Sequence, residues 1–357
     1  MTTYLLTGGG TAGHVNPLLA VADALRARDV EASVLVLGTR EGLETRLVPD
    51  RGYELLFVDR VPFPRRPNGA AARFPVRFPR AIAQVRTHIR TRAVDVVVGF
   101  GGYASAPAYL AARREGVPYV VHEANAKPGL ANVLGARAAS GVGVVFEGTP
   151  IRGGRVVGMP LRREIVDLDR DERRAEAADA FGLDPSRPVL LVFGGSLGAR
   201  RLNGTLAEAW RDIVGAGWQI LHATGERNDA VDPGQPDYRI VSYLDRMELA
   251  FALADVIVSR SGAATVAEVS ALGIPAVYVP YPVGNGEQAL NAASALRAGA
   301  ARIIPDADFT PVRVRSEVVP LLQDAAALAA MRAAAATIGT RSGTANLIEM
   351  IDAALVR

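Results

Sequence analysis

The sequence predicts an α/β protein made of two doubly wound parallel-sheet domains, and three observations predict it. Short apolar runs alternate with amphipathic segments along the chain, the pattern of strand-helix-strand units whose parallel strands are covered by helices on both faces. Two series of such units open alike, strand then glycine loop then helix, as "YLLTGGGTAGHVNP" and "LLVFGGSLGARRLN". A chain of 357 residues is also longer than one hydrophobic core usually supports.

The first series places strands at 4–7, 32–37, 54–58, 94–98, 119–122 and 142–145, each a run of aliphatic and β-branched residues too short for a helix. The second places them at 189–193, 219–222, 238–241, 256–259 and 276–279, with helical patterns between. "RVVGMPLRREIV" leads from one series to the other, and the linker is expected near 158–163. The expected division is 1–160, 161–340 and a terminal helix within 341–357. Leu347, Ile348, Ile351, Ala354 and Leu355 fall on one helical stripe there, which needs a partner surface and suits packing back on the first domain.

Composition excludes several classes. With no cysteine there is no disulfide, thiolate metal site or cysteine nucleophile, so catalysis must use oxygen and nitrogen side chains. Hydrophobic residues at 49% and charged residues at 22% describe a globular chain with a sizeable core. No apolar run reaches the ~18 residues of a spanning helix and no signal-peptide pattern opens the chain, so a cytoplasmic protein is expected. Lys127 is the only lysine among many arginines, a bias that codon composition accounts for in part.

The first glycine loop, Gly8 to Gly13, contains G-x-G-x-x-G. Glycines let the backbone turn tightly, Asn16 is placed to cap a helix opening at Pro17, and unpaired amides at a helix start favour an anion. A ligand-free turn is the plain alternative. A dinucleotide site would carry an acid about 20 residues on, at the end of the second strand. That strand ends Gly38-Thr39-Arg40, and Arg40 suits only an adenosine 2′-phosphate.

His14 follows the glycines, and a neutral imidazole can take a proton from an attacking hydroxyl near pH 7. Its alternative is a hydrogen-bonding loop residue, and His122, beside Glu123 at a strand end, is a structural competitor. In the second half, "GGSLGARRLN" sets Ser196 and the amides of 195–199 before a helix, and "SRSGAATVAE" sets Ser261 and Gly262 before another. Glu268 lies just over one turn into the latter helix. A carboxylate there suits a sugar diol, or else a solvated position favoured by the helix dipole.

The motifs "GGGTAGHVNP", "GLETRLVP", "GFGGYASAPAYLAA", "HEANAKPGLAN", "GMPLR", "FGGSLGARRLN", "RSGAATVAE" and "GNGEQALNA" occur in this order. In order and spacing the sequence resembles the MurG family of bacterial N-acetylglucosaminyltransferases, glycosyltransferase family 28, over nearly the whole chain. The resemblance implies the GT-B architecture, two Rossmann-like domains facing across a cleft, with an acceptor and membrane-associating domain first and a UDP-sugar domain second.

It also implies inverting, metal-independent transfer from UDP-N-acetylglucosamine to the C4 hydroxyl of an undecaprenyl-diphosphate-linked N-acetylmuramyl-pentapeptide, with no cofactor and no metal. "DLDRDE" contains Asp-x-Asp, but in a charged segment that reads as a helix start. By the same resemblance Thr11, Ala12 and Gly13 line the acceptor side and Asn125 lies near the transferred sugar; Tyr103 after the fourth strand, and Glu123 and Asn132 after the fifth, are further candidates because open sheets bind ligands there. Arg162 and Ser196 belong to the diphosphate region, with backbone groups of Ala263, Ala264 and Thr265 and the following Val266 and Ala267. Leu244 holds the uracil beside Tyr243, Glu268 takes the ribose hydroxyls, and Gln288 and Asn291 fall at the donor sugar. Many relatives have His or Gln before that glutamine where this chain has Glu287, so Gln288 and not Glu287 is taken as the contact.

From Arg60 to Arg92 there are nine arginines, five prolines, three phenylalanines and no acid. No nucleic-acid module accompanies them. Anionic headgroups are the expected partner, with Phe63, Phe74 and Phe78 dipping into the interface of the cytoplasmic face of the membrane. A solvated, proline-broken loop leading into a surface helix at 80–92 is the alternative. For the whole chain two other functions stand beside the main one: a related glycosyltransferase with another acceptor, and a nicotinamide-dependent oxidoreductase or nucleotide-binding module built on the first glycine loop.

Overall fold

The computed structural model describes residues 1–64, 69–195, 198–226, 228, 232–283 and 286–356. They form two compact units: Met1–Arg162 with Arg341–Arg357, and Arg163–Thr340.

The first unit is a seven-stranded parallel sheet in the order β3-β2-β1-β4-β5-β6-β7. Its strands are β1 (Thr3–Thr7), β2 (Ser33–Gly38), β3 (Glu54–Phe57), β4 (Val96–Gly99), β5 (Tyr119–Glu123), β6 (Gly141–Val144) and β7 (Gly154–Val156). Side chains alternate across the sheet, so neighbouring residues serve opposite cores. Leu6, Val36, Val98 and Val120 face α1 (Ala12–Arg28) and the terminal helix Gly343–Leu355. Leu5, Val97 and Val121 face α3 (Gly69–Thr91) and α4 (Ser105–Glu115). Each such buried aliphatic side chain contributes about 1.5–3 kcal/mol.

The terminal helix is fitted to its place. Asn346 donates to the Val157 carbonyl at 2.9 Å and Arg28 pairs with Asp352 at 2.6 Å. Gly141 leaves room for Met350, whose Cγ would lie 2.6 Å from a Cβ there.

The second unit is a six-stranded parallel sheet in the order β10-β9-β8-β11-β12-β13. Its strands are β8 (Val189–Phe193), β9 (Gln219–Ala223), β10 (Tyr238–Val241), β11 (Val256–Ser259), β12 (Ala276–Tyr278) and β13 (Ala301–Ile303). In both sheets the strand order reverses beside the first strand, between β1 and β4 and between β8 and β11. Loops leaving the carboxyl ends of such a pair diverge to opposite faces and open a crevice.

The basic segment differs from its expectation. α3 begins at Gly69 and runs through Pro75 and Pro79. Phe63, Phe74 and Phe78 pack on one another with ring centroids 4.9–5.6 Å apart rather than projecting separately. Five of the described arginines are paired: Arg60 with Glu41, Arg80 with Asp59 at 3.9 Å, Arg86 and Arg90 with Glu115, and Arg92 with Glu54. The chain brings acids from elsewhere to a stretch that has none of its own. Arg73, Val76, Arg77 and Arg80 remain on the exposed side, while Arg65 and Arg66 lie outside the described residues.

Candidate active site

At the reversal of the first sheet, the loop after β1 turns through Gly10 at φ 87° and enters α1. The Thr11 carbonyl accepts from the amides of both His14 and Val15 at 3.1 Å, so the helix starts at Ala12, not at Pro17 as the sequence suggests. Asn16 is therefore inside the helix and caps nothing. Pro17 forgoes its own amide bond, a loss offset by Val15, Leu18, Leu19, Val21, Ala22 and Leu25, which all enter the core. His14 thus sits on the first helical turn.

The ring orientation of His14 follows from its contacts. Nδ1 lies 3.0 Å from the Gly9 carbonyl oxygen, which can only accept, so Nδ1 carries a hydrogen, and in the neutral ring the lone pair is on Nε2. The ring lies over Gly101, in the loop after β4, where a Cβ would be 3.1 Å from Nε2. Gly101 and Gly102 have φ of 96° and 84°, and a Cβ on Gly102 would meet the Gly9 oxygen at 2.7 Å. Two glycine loops meet here backbone to backbone.

A cavity of about 680 Å³ opens beside them, and Thr11, His14, Tyr103, Glu123, Asn125 and Asn132 all line it, with Phe63. Glu123, at the end of β5, is 2% exposed and accepts from the amides of Asn125 and Gly129, each at 2.9 Å, and from the Asn132 amide group at 2.9 Å. Asn132 in turn donates to the His122 carbonyl and accepts from the Tyr109 hydroxyl at 2.7 Å. These two candidates build the wall, whereas Asn125 is half-buried at its rim. Ala12 and Gly13 form the first residues of α1 just behind Thr11.

His122 is a structural residue. It is wholly buried and donates through Nε2 to the Gly158 carbonyl at 3.1 Å. Burial lowers its pKa to about 4, so the ring stays neutral.

Within "GLETRLVP", Glu44 has a role that the motif itself does not reveal. At the start of α2 (Glu44–Asp50), this glutamate is 0% exposed. One carboxylate oxygen accepts from the Thr39 amide at 2.9 Å and its hydroxyl at 3.0 Å, the other from the Gly10 amide at 2.8 Å. A Cβ at Gly9, Gly38 or Gly42 would lie within 2.6 Å of the Glu44 side chain, so three glycines make the space it fills. Glycines clustered after both β1 and β2 were the signal available.

In the second unit the loops after β8 and β11 precede the helices Arg200–Gly215 and Ala263–Ala271. Neither helix has a side-chain cap among the described residues. Uncapped first-turn amides are open to an anion. Ser196 lies outside the described residues. Ser261 is fully buried, and its hydroxyl has no hydrogen-bond partner among the described residues. Arg260 fixes the approach by pairing with Asp306 at 2.6 Å and donating to the carbonyls of Val279 and Pro280.

Along this helix Ala263 and Val266 are buried, while Ala264, Thr265, Ala267 and Glu268 are half-buried. Leu244 is half-buried and Tyr243 exposed in the loop after β10. After β12, Gln288 accepts the Tyr281 amide hydrogen at 2.9 Å, and Asn291, fully buried, donates to the Ser261 carbonyl at 3.3 Å. Arg162 is half-buried at the end of the first unit's continuous stretch. Asp169 of "DLDRDE" accepts from the amides of Asp171 and Glu172, as expected for a helix cap.

Comparison with known proteins identifies the chain. Residues 4–144 match the glycosyltransferase family 28 N-terminal domain, and residues 189–349 match the glycosyltransferase family 28 C-terminal domain. The UDP-N-acetylglucosamine--N-acetylmuramyl-(pentapeptide) pyrophosphoryl-undecaprenol N-acetylglucosamine transferase of Clavibacter sepedonicus is 62% identical over 98% of this chain and 96% of its own length. The protein of the same name from Clavibacter michiganensis subsp. michiganensis is 60% identical over 100% of this chain and 98% of its own. Among solved structures, the crystal structure of Acinetobacter baumannii MurG superposes with a TM-score of 0.80 at 29% identity, covering 99% of both chains. Two family domains in order, and relatives this similar over full length, establish that the chain belongs to glycosyltransferase family 28, in its MurG group of GT-B N-acetylglucosaminyltransferases.

Proposed function

We propose that this enzyme transfers N-acetylglucosamine from UDP-N-acetylglucosamine to the C4 hydroxyl of the N-acetylmuramyl unit of an undecaprenyl-diphosphate-linked pentapeptide, with inversion and without a metal ion. The names of the close relatives support the donor and the lipid-linked acceptor. The division of labour is acceptor in the first unit and donor in the second.

In this reading the muramyl residue occupies the cavity beside the first glycine loop, where His14 Nε2 takes the hydrogen of the attacking hydroxyl. The oxygen bonds the anomeric carbon from the face opposite the UDP, the glycosidic bond to UDP breaks, and the diphosphate leaves with the electron pair. Charge accumulates on that diphosphate. In this reading the open amides at Ala263, Ala264 and Thr265 stabilise it as fixed dipoles suited to a developing anion, and by the family resemblance Ser196 and Arg162 serve the same diphosphate. Leu244, Tyr243 and Glu268 hold the nucleoside, and Gln288 and Asn291 orient the sugar.

The observation that carries the reading is His14 itself, with Nδ1–H committed to the Gly9 carbonyl and Nε2 left as a base at a 680 Å³ cavity. Replacing it by glutamine should lower kcat by at least about 10²-fold, the range of general-base catalysis, while UDP-N-acetylglucosamine binding measured by calorimetry is unchanged. Near-normal kcat would overturn the assignment.

The reading includes peripheral attachment to the cytoplasmic face of the membrane through the exposed side of α3. Arg73, Arg77 and Arg80 would meet anionic headgroups, with Val76 and the phenylalanine cluster at the apolar boundary. Sedimentation with anionic vesicles, weakening as salt rises, is the expected result. No binding at low salt would contradict it.

A further inference from the structure

We infer that Glu44 is a positioning residue for His14, acting through the single peptide group that joins Gly9 to Gly10. The inference rests on His14 being the base and goes beyond it. Glu44 Oε2 accepts the Gly10 N–H at 2.8 Å, and the Gly9 C=O of the same peptide unit accepts His14 Nδ1–H at 3.0 Å. Carboxylate, peptide and imidazole therefore form one chain of hydrogen bonds.

Each bond in such a chain polarises the next. A carboxylate pulling on the amide hydrogen makes the carbonyl oxygen a better acceptor, and that oxygen holds the imidazole hydrogen on Nδ1. The arrangement does through a peptide what a directly bonded carboxylate does for a catalytic histidine: it selects the tautomer and favours the imidazolium formed once the substrate hydrogen arrives.

Three features indicate that the site is built for a buried negative charge. Glu44 is wholly inaccessible, its oxygens accept three hydrogen bonds, and Gly9, Gly38 and Gly42 give it room. It also opens a helix, where the dipole favours an anion. Among the described residues, the other charged or titratable groups near the ring are Glu123 and Tyr103 in the cavity wall, Arg60 stacked on Tyr103, and His122, whose ionisation feels His14. None of these is hydrogen-bonded to the Gly9–Gly10 peptide.

The test uses the full-length enzyme with ¹⁵N-labelled histidine. Only four histidines are present, and the His14→Gln spectrum assigns the His14 signals. The wild-type free enzyme should show His14 with hydrogen on Nδ1 and a bare Nε2. In Glu44→Gln the Nδ1–H tautomer should lose population, and the acid limb of the kcat/KM profile should move to lower pH. At pH 7, kcat should fall on the order of tenfold to hundredfold, as for removal of a residue that orients a reacting group, with KM for UDP-N-acetylglucosamine within about twofold.

Thr39→Val removes one hydrogen bond to Glu44 but keeps the charge, so it should lower Tm and leave tautomer and pH limb in place. A Glu44→Gln enzyme that is slow but keeps the wild-type tautomer and pH limb would overturn the inference. If Glu44→Gln does not fold, Glu44→Asp takes its place with the same criteria, and a wild-type ring found mainly as Nε2–H overturns the inference by itself. Normal turnover in His14→Gln would refute only the base, because the tautomer is read in the free enzyme.

Discussion

A single methyl group at residue 101 gives a sharp test of how the two glycine loops serve His14. Gly101 has φ 96°, and a Cβ there would stand 3.1 Å from His14 Nε2, 3.2 Å from Cδ2 and 3.5 Å from Asn132 Nδ2. Backbone strain at such a φ costs an L-residue about 1–2 kcal/mol, which for a unit of this size lowers Tm by about 3–6 °C. The methyl also forces the ring to shift by a few tenths of an ångström and occupies space beside the basic nitrogen. A full 1 Å misplacement can cost about 10²-fold, so a shift of a few tenths is expected to lower kcat by roughly threefold to tenfold.

Gly116→Ala is the matched control: Gly116 has φ 71°, but its Cβ would meet nothing within 4 Å. It should lose similar stability and keep its kcat. The assay is initial-rate transfer to a soluble lipid-linked acceptor analogue, with Tm by scanning calorimetry and donor affinity by titration calorimetry. A Gly101→Ala enzyme with wild-type kcat, or one whose only loss is donor affinity, would refute the reasoning.

Three further outcomes are expected. His122 and His222 are both buried with pKa lowered to about 4, below the unfolded value near 6.5. The unfolded chain therefore binds more protons between those pH values, so this stability is complete above pH 6.5 and is lost as pH falls; each histidine should cost about 2 kcal/mol by pH 5, seen as lower urea midpoints than at pH 7.5. Asp306→Ala strands the Arg260 guanidinium, whose side chain is 11% exposed, and should destabilise the second unit by about 3 kcal/mol in denaturant titrations. Glu268→Gln, at the proposed nucleoside site, should raise KM for UDP-N-acetylglucosamine about tenfold with kcat changed less than threefold, as for loss of a charge-assisted bond made equally in ground and transition states.

Much of this architecture is legible because central parallel strands are buried on both faces. The runs at β8, β10 and β11 coincide with the observed strands residue for residue. β7 and β13 were invisible because each is a three-residue strand at the edge of its sheet, and β7 is wholly exposed. Such strands exist through pairing with a distant neighbour, which leaves no local periodicity.

The start of α1 is not legible locally, because Gly13 and Pro17 both oppose helix and core packing of the residues between and beyond them decides otherwise. The candidates of the first unit were legible as residue types after strand ends. That Glu123 and Asn132 would bond each other as cavity wall was not, since their spacing of nine gives no hint of shared contact. Glu44 was hidden for a related reason: its partner Gly10 is 34 residues away, and only the fold joins them.

The central claim is tested most directly by incubating the enzyme with UDP-N-acetylglucosamine, a lipid-linked N-acetylmuramyl-pentapeptide analogue and excess chelator, then analysing the product by NMR. The account expects a β-linked N-acetylglucosaminyl residue on the muramyl C4 oxygen, formed at an undiminished rate. An α-linked product, or turnover abolished by the chelator and restored by a divalent cation, would contradict it.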